Sequence, residues 1–124
     1  MLQAMVSVAD NVTGTVVQEM KAKQMWNSTL LVVSADGSGS NYPLKGTKMT
    51  FFEVGIRANA HVRGGLLPER MQGTKNSGFI HISDWYPTFC KMAGVDSNDS
   101  REGKYPMDGL DVDLWPLISG DMRI

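Results

Sequence analysis

An acidic side chain at the end of an apolar run, with two lysines close behind it, has the clearest chemical potential in this chain. The run 30–33 (LLVV) is followed by Asp36, and Lys45 and Lys48 lie in the same connection. Short apolar runs bounded by turn residues predict strands buried on both faces, and open α/β sheets bind ligands beyond the C-terminal ends of such strands. A carboxylate there can meet a metal, and a lysine ammonium can hold a tetrahedral oxyanion. The pattern therefore suggests metal-assisted chemistry on a phosphate or sulfate.

Three other side chains invite a chemical role but have a simpler explanation. His81 and Asp84 open the string HISDWYPT, in which Ser83 or Asp84 can cap a helix with Pro87 in its first turn. A metal-binding or acid–base role for His81 is the less favoured alternative. Cys90 is the sole cysteine, which excludes an intrachain disulfide and a Cys-based zinc site. We expect it to pack as a small hydrophobe on the apolar side of a helix.

The elements that must position these residues follow from hydrophobic periodicity and turn residues. Apolar residues at spacings of three and four predict a first helix, and runs bounded by turn residues predict two strands. The expected elements are a helix at 2–24, strands at about 29–34 and 54–62, a helix at 83–92 that stops at Gly94, and a short helix at 112–118 interrupted by Pro116. Two strands make a poor sheet. The simplest account is a portion of a larger domain, and a fragment, a gene-model error or a pseudogene product would all fit it.

Composition narrows the classes of partner. The 124 residues carry 12 basic and 13 acidic side chains, a net charge of −1, so there is no global electrostatic case for nucleic acid or an anionic membrane. No apolar run is long enough to cross a bilayer. The N-terminus shows no signal peptide, and sequons occur at Asn11, Asn27 and Asn98. Uncovered strand edges would favour self-association.

Five strings resemble, in order, those of the sulfatase family. Type I arylsulfatases carry a DNGG loop, PLRGxK and WEGGVR segments and later blocks that are similar to ADG, NYPLKGTK, FEVGIR, HISDWYPT and MDGLDVDLWP in this chain. The strings are most similar to those of the arylsulfatase B branch. The resemblance spans roughly residues 5–120. It implies that residues 1–124 are a single, incomplete catalytic domain, the C-terminal portion of an alkaline-phosphatase-like α/β/α sandwich with a mostly parallel sheet. It also implies a bound calcium ion and hydrolysis of sulfate esters.

The resemblance assigns roles residue by residue. Asp36 matches a calcium ligand, although Gly37 replaces the amide residue that helps it; the alternative is a turn-capping Asp36. Lys48 matches the lysine that contacts the substrate sulfate, and the alternative is a solvated loop lysine. Lys45 is expected to have a structural or rim role, and Arg57 is expected to form a structural ion pair. If these roles hold, Asp36 and Lys48 should face one cleft at the end of the first strand, with the second strand parallel to it.

The leading functional hypothesis is a segment of a calcium-dependent sulfatase acting on a sulfated small molecule or glycan. The family's nucleophile lies in a C-x-P-x-R setting that Cys90 lacks, so we expect this chain alone to be inactive. One alternative is a related phosphodiesterase or phosphonate hydrolase, and another is a non-catalytic binding remnant of the same fold. The resemblance suggests a secretory, lysosomal or periplasmic protein.

Overall fold

The computed structural model describes residues 2–36, 42–97 and 113–121. The chain divides into two compact units, Met1–Leu67 and Pro68–Ile124, and both helices and strands are present. The described helices are α1 (Leu2–Ala22), α2 (Glu53–Ile56), α3 (Trp85–Met92) and α4 (Trp115–Ser119), and the strands are β1 (Leu31–Ser34) and β2 (Ala60–Arg63). The expectation of a single, incomplete domain over residues 1–124 stays a prediction.

The first helix forms where its periodicity predicted it. Within α1, the hydroxyls of Thr13 and Thr15 donate to carbonyl oxygens four residues earlier. The helix gives way at Gln24, whose φ is 58°, to a 3-10 turn at Trp26–Ser28. Lys21 Nζ lies 5.3 Å from the centroid of the Trp26 ring, so the last turn of α1 packs on this 3-10 turn.

The two strands form an antiparallel ribbon, so the predicted parallel pairing is wrong. Leu31 pairs with Arg63 and Ser34 pairs with Ala60. A parallel pair needs a crossover that carries the chain back along the sheet, whereas the connection after Ser34 leaves and returns at the same end of the ribbon. A mostly parallel sheet is not seen in the part of the chain that the structure describes.

The other end of the ribbon is held by a close approach of two backbones. Gly64 has a φ of 131°, and a Cβ atom there would lie 2.0 Å from the Thr29 carbonyl oxygen. The amide of Leu66 donates to that same carbonyl at 3.2 Å. Only glycine fits this combination of backbone conformation and space, so the Gly64 position fixes how β2 leaves the ribbon.

The strand predicted over residues 54–62 begins only at Ala60. Glu53–Ile56 is instead the short helix α2, in which the Arg57 amide donates to the Glu53 carbonyl at 2.8 Å. A Cβ atom on Gly55 would lie 2.0 Å from the Thr50 carbonyl oxygen. This tight turn overrides the strand preference of the apolar and β-branched residues around it.

The second unit is organised by a reciprocal cap. The ring of His81 accepts a hydrogen bond from the Ser83 amide at 3.3 Å, and the carboxylate of Asp84 accepts one from the His81 amide at 2.7 Å. This capping box opens the 3-10 turn that leads into α3. His81 is the N-cap of this 3-10 turn, and Asp84 is its partner. Asp84 also occupies the N-cap position of α3, one of the two positions predicted, although its side chain makes no capping hydrogen bond to α3. The helix ends as predicted, before Gly94 with its φ of 68°.

The last helix packs on α3 through a buried hydroxyl. Thr88 Oγ1 donates to the Asp84 carbonyl at 2.7 Å and accepts from the Leu114 amide at 3.0 Å. Pro116 lies in the first turn of α4, where proline is tolerated because that amide has no helical partner. Pro116 therefore does not interrupt the helix, and the prediction that it would do so is wrong. The start predicted at residue 112 lies outside the described residues.

None of the helices in the described part of the chain is long and apolar enough to cross a membrane.

Candidate functional site

Asp36 lies just beyond the C-terminal end of β1. The Ala35 amide donates to the Asn59 carbonyl at 2.9 Å, which extends the ribbon by one step past Ser34. Asp36 therefore leaves the ribbon at the end where β2 begins. The connection of residues 35–59 starts and finishes at this end of the ribbon, so both of its ends are anchored at the end where Asp36 lies.

Lys48 is carried back to Asp36 by a hydrogen-bonded turn. The Thr50 hydroxyl donates to the Thr47 carbonyl at 2.6 Å, and the Thr47 amide donates to the same hydroxyl at 3.2 Å. Met49 within this turn has a φ of 70°, an uncommon conformation for a residue with a side chain. Lys48 thereby projects from a defined turn.

The two residues singled out by the sequence are in direct contact. Lys48 Nζ donates to Asp36 Oδ2 at 2.5 Å, with the lysine side chain 51% and the aspartate side chain 88% exposed. The hydrogen bond from Lys48 and the attraction of its charge hold the pKa of Asp36 below its usual value. Exposed pairs of this kind add little stability. What the pair provides is a localised cation, accessible to solvent, at the end of the ribbon.

Two other basic residues near this end are engaged in structural contacts. Lys45 Nζ lies 4.4 Å from the centroid of the Phe52 ring, and its carbonyl accepts from the Val54 amide at 3.4 Å. Arg57 forms an ion pair with Glu53 at 3.5 Å, across one turn of α2. Arg57 thus has the kind of ion pair expected for it. The Glu53 partner, four residues earlier in the sequence, could have been found from that spacing.

The described residues do not fit a calcium ion by themselves. Calcium takes six to eight oxygen ligands, and Asp36 offers a single carboxylate whose Oδ2 is bound to Lys48. Across residues 2–36, 42–97 and 113–121, no group of three or more His, Cys, Asp or Glu side chains could hold a metal. Gly37, which replaces the amide residue of the family's loop, lies outside these ranges. The role of Asp36 as a metal ligand stays a prediction.

His81 and Cys90 both belong to the second unit. His81 Nδ1 lies 2.6 Å from Ser83 Oγ, and its capping contacts give it the structural role that the sequence favoured. Cys90 is a free, half-buried thiol within α3. Sequence reasoning missed His81 as the N-cap, since histidine is not among the residues usually preferred there. The spacing of His81 and Asp84, three residues apart, was the available signal.

Comparison with known proteins finds similarity to an arylsulfatase. Arylsulfatase J of Mus musculus is 33% identical to this chain over 126 residues, an alignment that covers 97% of the chain. The chain is therefore similar to a sulfatase over nearly all of its own length. The resemblance drawn from the five strings is confirmed. The chain spans 20% of the length of this mouse relative. No protein-family model matches the chain, and no solved structure matches it.

Proposed function

We propose that this chain is the C-terminal portion of the catalytic domain of a sulfatase-type hydrolase, and that Lys48 contacts the sulfate group of the ester. The observation that carries the proposal is the contact of Lys48 with Asp36 at the end of the ribbon. The relative named above is an arylsulfatase, and an exposed, positioned cation can bind the anionic sulfate group of such an enzyme's substrate.

Lys48 would act electrostatically, by binding a negatively charged oxygen. Its ammonium already binds one oxyanion, the Asp36 carboxylate, and a sulfate oxygen is a ligand of the same kind. The half-exposed side chain can exchange one partner for the other while its anchoring turn stays in place. A cation held there neutralises charge on the sulfate as the ester bond breaks. Asp36 then acts as the group that positions Lys48 before the substrate arrives.

Bond cleavage itself is not assigned to a residue of this chain. A covalent mechanism needs a nucleophile in contact with the group that activates it, and Cys90 stands in FCKMA without the proline and arginine of the family's setting. The role proposed for Lys48 does not involve calcium, because the described residues do not form a calcium site. The substrate is proposed as a sulfated small molecule or glycan, from the family alone.

The proposal is tested by titrating the chain with inorganic sulfate and following the lysine side-chain signals by NMR. We expect the Lys48 signals to shift most, and Lys48→Met to weaken binding about two- to fivefold, the range that an exposed charge pair supports. Lys45→Met is the matched control, because it removes one charge from the same connection but leaves the Asp36 contact intact. Equal weakening by both variants would show non-specific attraction and contradict the assignment.

Repeating the titration with inorganic phosphate and a phosphonate separates the alternatives. A phosphodiesterase or phosphonate hydrolase would prefer phosphate or a phosphonate over sulfate at Lys48. A non-catalytic remnant would show no saturable anion binding at Lys48.

A further inference from the structure

The helix α1 presents a broad apolar face that is left open in the structure. Apolar side chains recur at spacings of three and four, which places them on one side of the helix. Met5 is 65% and Val12 is 58% exposed. The members of this surface, called here the α1 face, are Met5, Val6, Val8, Val12 and Val16. Gln18, two positions beyond Val16, lies about 200° around the helix and is on the polar side.

The first unit buries few apolar side chains of its own, so it is not expected to be stable with the α1 face exposed. Of its described apolar side chains, only Val54 and Leu67 are buried. A chain of about 60 residues is stable alone only when it buries most of its apolar surface. Large apolar patches on a protein surface mark places where another surface docks. The α1 face is therefore expected to be covered in the working protein.

We propose that the α1 face is the docking surface through which this chain joins the remaining part of a sulfatase domain. The chain aligns over almost all of its own length with only 20% of Arylsulfatase J, so most of that relative's length lies outside the matched segment. An apolar stripe on a helix requires an apolar partner surface, which the interior of a catalytic domain supplies. The inference rests on the proposed function for the identity of its partner.

The test uses the intact chain and an Arylsulfatase J polypeptide from which the matching fifth has been removed. Binding of the two is measured by isothermal titration calorimetry, with Val12→Glu as the disrupting variant and Gln18→Glu as the matched control. Both variants add one negative charge to α1, but only Val12→Glu places it on the α1 face. We expect Val12→Glu to weaken binding by at least about tenfold, because a buried unpaired charge is costly, and Gln18→Glu to bind like the unmodified chain.

Four results would overturn the proposal. One is no binding by the unmodified chain, and another is equal binding by the two variants. A third is a concentration-dependent dimer, seen by sedimentation and lost in Val12→Glu, which would assign the face to a second copy. The fourth is a loss of thermal stability in Val12→Glu alone, which would show that the face is covered within the chain. Sulfate binding at Lys48 is measured separately, so failure of docking and failure of the proposed function are distinguishable.

Discussion

Replacing Thr88 by valine should weaken the packing of α4 on α3 by an amount that follows from two hydrogen bonds. The Thr88 side chain is fully buried at 0% exposure, and its hydroxyl serves both the Asp84 carbonyl and the Leu114 amide. Valine keeps the shape of threonine but can neither donate nor accept. The Leu114 amide would then remain buried without that partner.

The magnitude follows from these two bonds. A buried donor left unsatisfied costs about 1–3 kcal/mol, and the lost bond to the Asp84 carbonyl costs about 0.5–1.5 kcal/mol. The added methyl group of valine returns about 0.8 kcal/mol through apolar burial. The net destabilisation should be about 2 kcal/mol, equivalent to about a 30-fold change in an equilibrium constant.

Two measurements check this estimate. Urea unfolding gives the total change in the free energy of unfolding, and hydrogen exchange at the Leu114 amide gives the local change, which should be about 30-fold faster in Thr88→Val. Thr74→Val is the matched control, because the Thr74 hydroxyl makes a similar 2.8 Å bond to the Met71 carbonyl but is exposed to water. If Thr88→Val costs no more than Thr74→Val, or if Leu114 keeps its protection, the reasoning about the buried hydroxyl is wrong.

Three further predictions concern the first unit and the activity of the chain. Lys48→Met should raise the pKa of Asp36 toward its ordinary value, because the hydrogen bond and the charge of Lys48 lower it; an NMR titration of the Asp36 carboxyl carbon that shows no rise would contradict the contact. The lowered pKa means that the contact is fully present above the ordinary pKa and is lost as the pH falls through the lowered one. Gly14→Ala, with nothing within 4 Å of the new methyl group, should stabilise α1 by about 1 kcal/mol, whereas Gly64→Ala should destabilise the ribbon by more than that because its Cβ would overlap a backbone carbonyl. Circular dichroism with thermal melts measures both, and equal effects would refute the close approach. The chain alone should release no phenol from an aryl sulfate, since Cys90 lacks its activating neighbours; saturable turnover above a blank would disprove this.

Sequence patterns located the elements whose signals are local. The periodicity over residues 2–20 is sufficient to specify α1, and an apolar run followed by polar residues is sufficient for β1. Gly94 ends α3 because its left-handed conformation suits glycine. Asp36 was placed correctly beyond the strand end, since that position depends only on where β1 stops.

What the sequence could not supply depends on contacts between distant residues. The direction of β2 is set by where the connection returns, and no local pattern encodes that. The helix at Glu53–Ile56 depends on the approach of Gly55 to the Thr50 carbonyl, which is visible only in three dimensions. The direct contact of Lys48 with Asp36 depends on the turn between Thr47 and Thr50, whereas the sequence predicted only that the two side chains face one cleft.

The connection that leaves and returns at one end of the ribbon has a consequence for how such a chain can diverge. Because Ser34 pairs with Ala60, residues between them can be added or removed without shifting the register of β1 on β2. Lengthening a flexible loop costs little, about 0.6 kcal/mol for each doubling. The ribbon can therefore be inherited unchanged while the segment that carries Lys48 varies in length and side chains. The anion contact proposed for Lys48 can change in this way without any cost to the strand pairing that supports it.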